Sequence, residues 1–216
     1  MDIPSIVSEA LAVLKRGGLI VYPTDTIWGI GCDATNEAAV QKVFALKHRS
    51  GAKSLVLLAS DLDMVARYVK KIPPIAIDLV EVNDAPMTVV YPGAVTGPYG
   101  LAPSTVAEDA SVGIRIPRIA PSPDNEAVSA GAVFCNKLIF KLRAPLVSTS
   151  ANISGEPSPE NFRQISKEIL CGVDYVVPNS FLDERGRNVR FDDSASGRSS
   201  QIIKLGLGGE VEVIRP

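Results

Sequence analysis

An α/β fold gathered into one domain around a mixed sheet is what this sequence predicts, with α+β as the neighbouring class. Three observations lead there. Segments of helical period and short apolar runs alternate along the chain without a regular βαβ rhythm. The 216 residues are 46% apolar, enough to bury a sizeable core in one large domain or two small ones. No apolar run approaches the roughly 20 residues that cross a bilayer, and the opening MDIPSIVSEALAVLKRGG carries Asp2 and Glu9 where a signal peptide would be apolar.

Each element follows from its local pattern. Residues 5–16 place Ile6, Ala10, Leu11, Val13 and Leu14 near helical spacing, and Gly17-Gly18 forms a C-terminal stop. LIVYP, 19–23, reads as a buried strand closed by Pro23. PTDTIWGIGCDATN, 23–36, is too rich in Gly and Thr for a helix and reads as a loop. Helical period returns over 36–47 through Val40, Val43 and Phe44 and ends on basic residues. SLVLLA, 54–59, is a strand, and Asp61 is placed to cap a helix over 62–69. A proline-initiated helix is predicted over 73–82, strands over 87–91 and 112–117, and a long Gly/Pro/Ser/Thr-rich loop over 93–109. Residues 124–142 read as helix, 145–151 as strand and 160–170 as helix. Strands at 174–178 and 201–205 precede the closing VEVIRP, while the polar stretch 180–200 lacks periodicity and reads as a mobile loop.

Charge and composition narrow the function. A net charge of -2 excludes a globally basic nucleic-acid coat, so any anion site must be local. Cys32, Cys135 and Cys171 are odd in number and far apart, which gives neither a disulfide framework nor a zinc site and suits a reducing, cytoplasmic setting. The single histidine, His48, rules out a His-rich metal site and leaves a Ser-His-Asp triad only if His48 is the base. Between Lys47 and Arg49 it reads as a surface residue.

Three stretches carry candidate chemistry. In LKHRSGAKSLVLL, Lys47 and Arg49 share a face if the helix ends near Leu46, and Lys53 joins them from the following turn. Arginine offers a planar fork for phosphate or carboxylate and lysine a compact charge. On residue type alone the cluster reads equally as a solvated helix end. In YPTDTIWGIG, Thr24 and Thr26 offer hydroxyls with Trp28 as an apolar wall, or form an ordinary Thr/Asp turn beside a core tryptophan. STSANISGEPS crowds Ser148, Ser150, Asn152, Ser154 and Ser158 at a strand end, suited to phosphate oxygens or to a plain Ser/Asn turn. Arg115, inside the apolar VGIRIP, and Arg215 face either solvent or a polar cavity. Neither G-x-x-x-x-G-K-[ST] nor G-x-G-x-x-G occurs.

In order, GGLIVYPTDTIWGIGCDA, ALKHR, VGIRIP, STSANISG and VIRP resemble the YrdC-type threonylcarbamoyl-adenylate synthases, from about Gly17 to Arg215, in a short form with one domain over 1–216. The resemblance implies a twisted mixed sheet with surrounding helices and a concave basic cavity (YrdC/DHBP-synthase-like). It also implies a nucleotidyltransferase that condenses L-threonine, bicarbonate and ATP, with Mg²⁺ on the phosphates, into threonylcarbamoyl-adenylate and pyrophosphate. The product would feed a downstream threonylcarbamoyl transferase complex that modifies tRNA. Carried across, Lys47 and Arg49 hold phosphate and carbamate. Thr26, Arg115, Ser148 and Ser200 take the threonine. Lys53, Ser111, Ser150, Asn152, Ser158 and Arg215, together with Arg49, surround the nucleotide. Two other expectations share the fold: a non-catalytic module for double-stranded RNA or tRNA, and an adenylate-forming enzyme with a different amine substrate.

Overall fold

The computed structural model describes residues 1–49, 55–119 and 128–216. Its strands are β1 (Ile20–Tyr22), β2 (Gly29–Gly31), β3 (Val56–Leu58), β4 (Met87–Tyr91), β5 (Val112–Arg115), β6 (Leu146–Ser150), β7 (Tyr175–Val176), β8 (Ser180–Leu182), β9 (Asn188–Arg190), β10 (Gln201–Leu205) and β11 (Val211–Arg215). Among the described residues nine of them form one mixed sheet in the order β11-β10-β4-β5-β3-β6-β2-β1-β7, and β8 pairs with β9 as a separate hairpin. Three pairings in the large sheet are parallel, β1 with β7, β10 with β4 and β3 with β5. The mixed α/β expectation holds.

The helices are α1 (Ile3–Lys15), α2 (Glu37–Leu46), α3 (Leu62–Tyr68), α4 (Pro74–Val82), α5 (Ala130–Leu142) and α6 (Lys167–Cys171). Helix α1 starts at Asp2, whose side chain accepts from the Ser5 amide, and it buries Ile6, Val7, Ala10, Val13 and Leu14. Burying each large aliphatic contributes about 1.5–3 kcal/mol. Gly17, at φ 73, closes the helix as read, with its amide on Leu14 O and that of Gly18 on Val13 O. Asp61 caps α3 through the Met64 amide, also as expected. No helix among the described residues is long and apolar enough to cross a membrane.

Three expectations are corrected. The loop predicted over 23–36 contains β2, a buried strand paired to both β1 and β6. Its glycines answer a close approach, not a turn: a Cβ on Gly31 would stand 2.5 Å from the Val147 carbonyl oxygen and 2.6 Å from the Tyr22 ring. The helix predicted over 160–170 is a 3-10 turn (Phe162–Gln164) followed by the short α6, because Ser166 turns its side chain onto the Ile169 amide and starts a new helix. The polar stretch 180–200 is ordered, with the β8–β9 hairpin leading into a 3-10 turn (Phe191–Ser194), and it is anchored by buried Phe181 and Phe191. Helix α5 begins at Ala130 with Ser129 as its cap, and residues 124–127 of the predicted helix lie outside the described residues.

Candidate active site

The site starts in the turn between β1 and β2. Thr24 Oγ donates to the Ile27 carbonyl at 2.8 Å, and its lone pairs receive the Thr26 amide at 3.0 Å. That commits the one Thr24 proton, so Thr26 Oγ is the donor in their 2.8 Å contact. The turn is held from outside by the first turn of α5. There a Cβ on Gly131 would lie 2.2 Å from Thr24 O, so glycine is required for the approach.

Strand alternation then brings side chains from distant segments to the same face of the sheet. Val56 pairs with Ser148, Leu58 with Arg115, Arg115 with Thr88, and Thr88 with Ile202, and directly paired residues share a face. Arg115 reaches the β1–β2 turn, forming a buried ion pair with Asp25 and a 3.4 Å contact to Thr26 Oγ. Burial alone would lower the Arg115 pKa, but the charge and hydrogen bond of Asp25 outweigh it and hold the guanidinium above its ordinary value.

Helix α2 leads into Lys47 and Arg49, the cations of the LKHRSGAKSLVLL stretch. Its C-terminus closes in a Schellman turn: the His48 amide bonds Ala45 O and the Arg49 amide bonds Phe44 O, with His48 at φ 50 in the place usually taken by glycine. The turn separates the two side chains. Lys47 is buried, and its ammonium donates to the carbonyls of Ser150 and Asn152 at the end of β6. Arg49 swings to the cavity, with its guanidinium 5.9 Å from the Phe44 ring. Burial, and then the charge of Arg49, bring the Lys47 pKa down to about 8. The unfolded chain keeps that proton up to the ordinary 10.5, so it binds more protons between these values and the Lys47 contribution to stability grows with pH across them. Lys47→Met is expected to cost about 1–3 kcal/mol at neutral pH, because the Asn152 carbonyl loses the ammonium donor and the Ser150 carbonyl is left with the Asn152 amide. The gap to wild type should widen from pH 8 to pH 10.5. Urea titrations at several pH values measure both.

The remaining wall comes from the C-terminal quarter. The amides of Ser196 and Gly197 bond to Asp25 O and Thr26 O at 3.0 and 2.9 Å, binding the 191–200 segment over the turn. Ser200 Oγ meets Thr88 Oγ at 2.8 Å, and Ser200 O accepts from Arg215 at 2.9 and 2.6 Å. Burial and the nearby Arg115 charge both lower the Arg215 pKa.

These groups enclose a cavity of about 280 Å³. Of the residues singled out from sequence, Thr26, Arg49 and Arg115 line it, as do Ser148, Ser150 and Ser158, and so do Ser200 and Arg215. Thr24 and the anticipated apolar wall, Trp28, line it too. Four others sit apart from the lining, among them Ser154, whose amide bonds Lys47 O at 3.0 Å. Lys47 grips backbone as described. Ser111 bonds Asp109 at 2.6 Å. Asn152 donates its amide to Ile153 O and Glu156 O at 2.9 and 2.7 Å, shaping the turn after β6. Lys53 lies outside the described residues. Sequence reasoning missed Asp25 as the partner of Arg115, and Ser199, which lines the cavity beside Ser200. No acidic side chain is among the lining residues described.

A family model described as telomere recombination, Sua5/YciO/YrdC, matches residues 12–216. The chain belongs to the Sua5/YciO/YrdC family. Among curated relatives, a threonylcarbamoyl-AMP synthase of Xanthomonas euvesicatoria pv. vesicatoria is 32% identical over 199 residues, 91% of this chain and 95% of that protein. One of Stenotrophomonas maltophilia is 33% identical over 177 residues, 78% and 83% of the two chains. Solved structures repeat the Sua5/YciO/YrdC architecture. A P. abyssi Sua5 double variant superposes with a TM-score of 0.75 at 21% identity over all of this chain, 100%, and 57% of its own. P. abyssi Sua5 complexed with L-threonine gives 0.68 at 22% identity, over 95% and 52% of the two chains. E. coli YciO gives 0.68 at 17%, over 98% and 88%. The chain thus spans just over half of the P. abyssi protein, and at these identities the likeness is one of fold.

Proposed function

We propose that this chain is an L-threonylcarbamoyl-adenylate synthase, forming threonylcarbamoyl-AMP and pyrophosphate from L-threonine, bicarbonate and ATP. The observation that carries the reading is the convergence of Arg49, Arg115 and Arg215 with the β6 hydroxyls on one cavity, in a chain about one third identical to proteins named for this product. The chemistry asks for little beyond this. The neutral threonine amine attacks the carbon of CO2, giving a carbamate and a proton, or that of bicarbonate, giving the carbamate as a C–O bond breaks and water leaves. A carbamate oxygen then attacks the α-phosphorus as the bond to the pyrophosphate oxygen breaks. Bringing three reactants together is mainly a matter of orientation, and the charge spread over the transferring phosphoryl group calls for fixed cations.

The residues divide the task by their surroundings. Arg115 has its charge largely balanced by Asp25, so it offers directional N–H donors to the threonine carboxylate from a fixed position. Arg49 and Arg215 supply the cations for the nucleotide phosphates. Ser148, Ser150 and Ser158 add hydroxyl donors without charge. Lys47 works on the chain itself, holding the β6 terminus in shape. Mg²⁺ would come with the triphosphate and would offset its charge; among the described residues no group of three or more His, Cys, Asp or Glu is placed to hold a metal. The adenylate would pass to a transferase acting on tRNA.

Pyrophosphate release should require both L-threonine and bicarbonate, and threonine should support it at least tenfold better than serine or alanine. Equal rates with the three amino acids would reject threonine as the substrate. No amino-acid-dependent release at all would reject the synthase.

A further inference from the structure

We propose that Asp192 is a positioning residue of this site, fixing the indole of Trp28 and the 191–200 strap that carries Ser199 and Ser200. The proposal deepens the reading above and rests on the cavity being the amino-acid site.

Asp192 gathers four donors from four parts of the chain. Its Oδ1 accepts from Trp28 Nε1 at 2.7 Å and from the Phe162 amide at 3.2 Å. Its Oδ2 accepts from Asn179 Nδ2 at 2.9 Å and Arg190 at 3.2 Å. The side chain is 9% exposed. Four donors and no acceptor demand an ionised carboxylate, which has only acceptor sites. Consistently, burial raises the Asp192 pKa, but the combined hydrogen bonds, that of Trp28 foremost, bring it below the ordinary value.

Two of these connections reach the cavity wall, through Trp28 and through the strap itself. Trp28 lines the cavity while packed on Phe162 with centroids 4.9 Å apart, and it meets Phe191 edge-on at 6.4 Å. Downstream of Asp192, the Ser194 hydroxyl accepts from the first amide of α5 at 3.0 Å. The amides of Ser196 and Gly197 then clasp the 24–29 turn, and the strap delivers Ser199 and Ser200 to the lining. A buried indole is oriented by the rings it packs on and by the partner its N–H finds. One carboxylate therefore bonds the ring that lines the cavity with Thr24 and Thr26 and also sits at the start of the strap. A hub serving stability alone would leave substrate affinity untouched when altered; a positioning residue would not.

Trp28 is the only tryptophan in the sequence, so its fluorescence reports the wall directly. The test compares wild type, Asp192→Asn, Trp28→Phe and the double variant. Asp192→Asn keeps the volume and one acceptor but turns an amide N–H toward other donors. Expected are a red-shifted Trp28 emission, a KM for threonine raised about tenfold with kcat changed less than threefold, and a smaller KM effect of Asp192→Asn in the Trp28→Phe background. Unchanged emission, or unchanged KM with only a lower melting temperature, would overturn the proposal. If wild type shows no threonine-dependent pyrophosphate release, it is the synthase reading that fails. The positioning claim is then decided by whether Asp192→Asn shifts the emission of the folded protein.

Discussion

Asp25→Ala is expected to remove about 3–5 kcal/mol of folding stability, the usual result of taking one partner from a buried ion pair. The side chains of Arg115 and Asp25 are 4% and 5% exposed, so neither meets water that could replace the other. Without Asp25 the guanidinium keeps the 3.4 Å contact to Thr26 Oγ but loses its counter-charge, and the desolvation that Asp25 offset acts unopposed. The Arg115 pKa is raised above its ordinary value, so the stability it brings is fully present at every pH below that ordinary value and fades only above it. The loss should therefore be as large at pH 9 as at pH 7. Urea unfolding of Asp25→Ala measures it, and a change under about 1 kcal/mol would mean that the pair is not buried as described. Asp25→Ala combined with Arg115→Met separates stability from function. Replacing both charges by apolar groups is often neutral or favourable, so the double variant should recover much of the stability while remaining without threonine-dependent activity.

The sequence made the local elements readable and left the long-range ones hidden, and particular residues show why. Val40, Val43 and Phe44 announce α2, while its end near Leu46 stood in the sequence only as a condition. That end decides where Lys47 and Arg49 point. Yet the Schellman turn that sends Lys47 onto backbone and Arg49 into the cavity rests on a histidine in the left-handed region, where glycine is the usual signal. Nothing in the order K-x-R distinguishes a phosphate ligand from a clamp on two carbonyls. Gly29 and Gly31 misled for the opposite reason, since glycine marks loops far more often than a strand squeezed between a tyrosine ring and a neighbouring carbonyl. The 180–200 stretch looked solvated because only Phe181 and Phe191 anchor it, and two aromatics in about twenty residues make no period. Asp25 and Asp192 act on partners 90 and 164 residues away, so their roles exist only after folding. The individual motifs were legible, but the shared cavity came from sheet order, which places β3, β5, β4 and β10 side by side around one face.

Arg49→Ala is expected to lower kcat/KM for pyrophosphate release by about 2–4 kcal/mol, roughly 30- to 1,000-fold, while changing the melting temperature little. The reasoning runs from position to chemistry. Arg49 follows the end of α2 with its amide closing the Schellman turn, and its side chain packs on Phe44, so truncating that side chain leaves the turn's hydrogen bonds in place and opens no core cavity. Burial lowers the Arg49 pKa, which places the guanidinium in a partly dehydrated setting where its attraction to phosphate is stronger than in water. Arg49→Lys should restore only part of the activity, because an ammonium keeps the charge but not the planar two-pronged fork. Lys47→Met should instead reduce stability and activity together, since it acts by loosening the β6 terminus that carries Ser150. If Arg49→Ala proved as unstable as Lys47→Met, or kept full activity, the division of the two cations into one for the ligand and one for the backbone would be wrong.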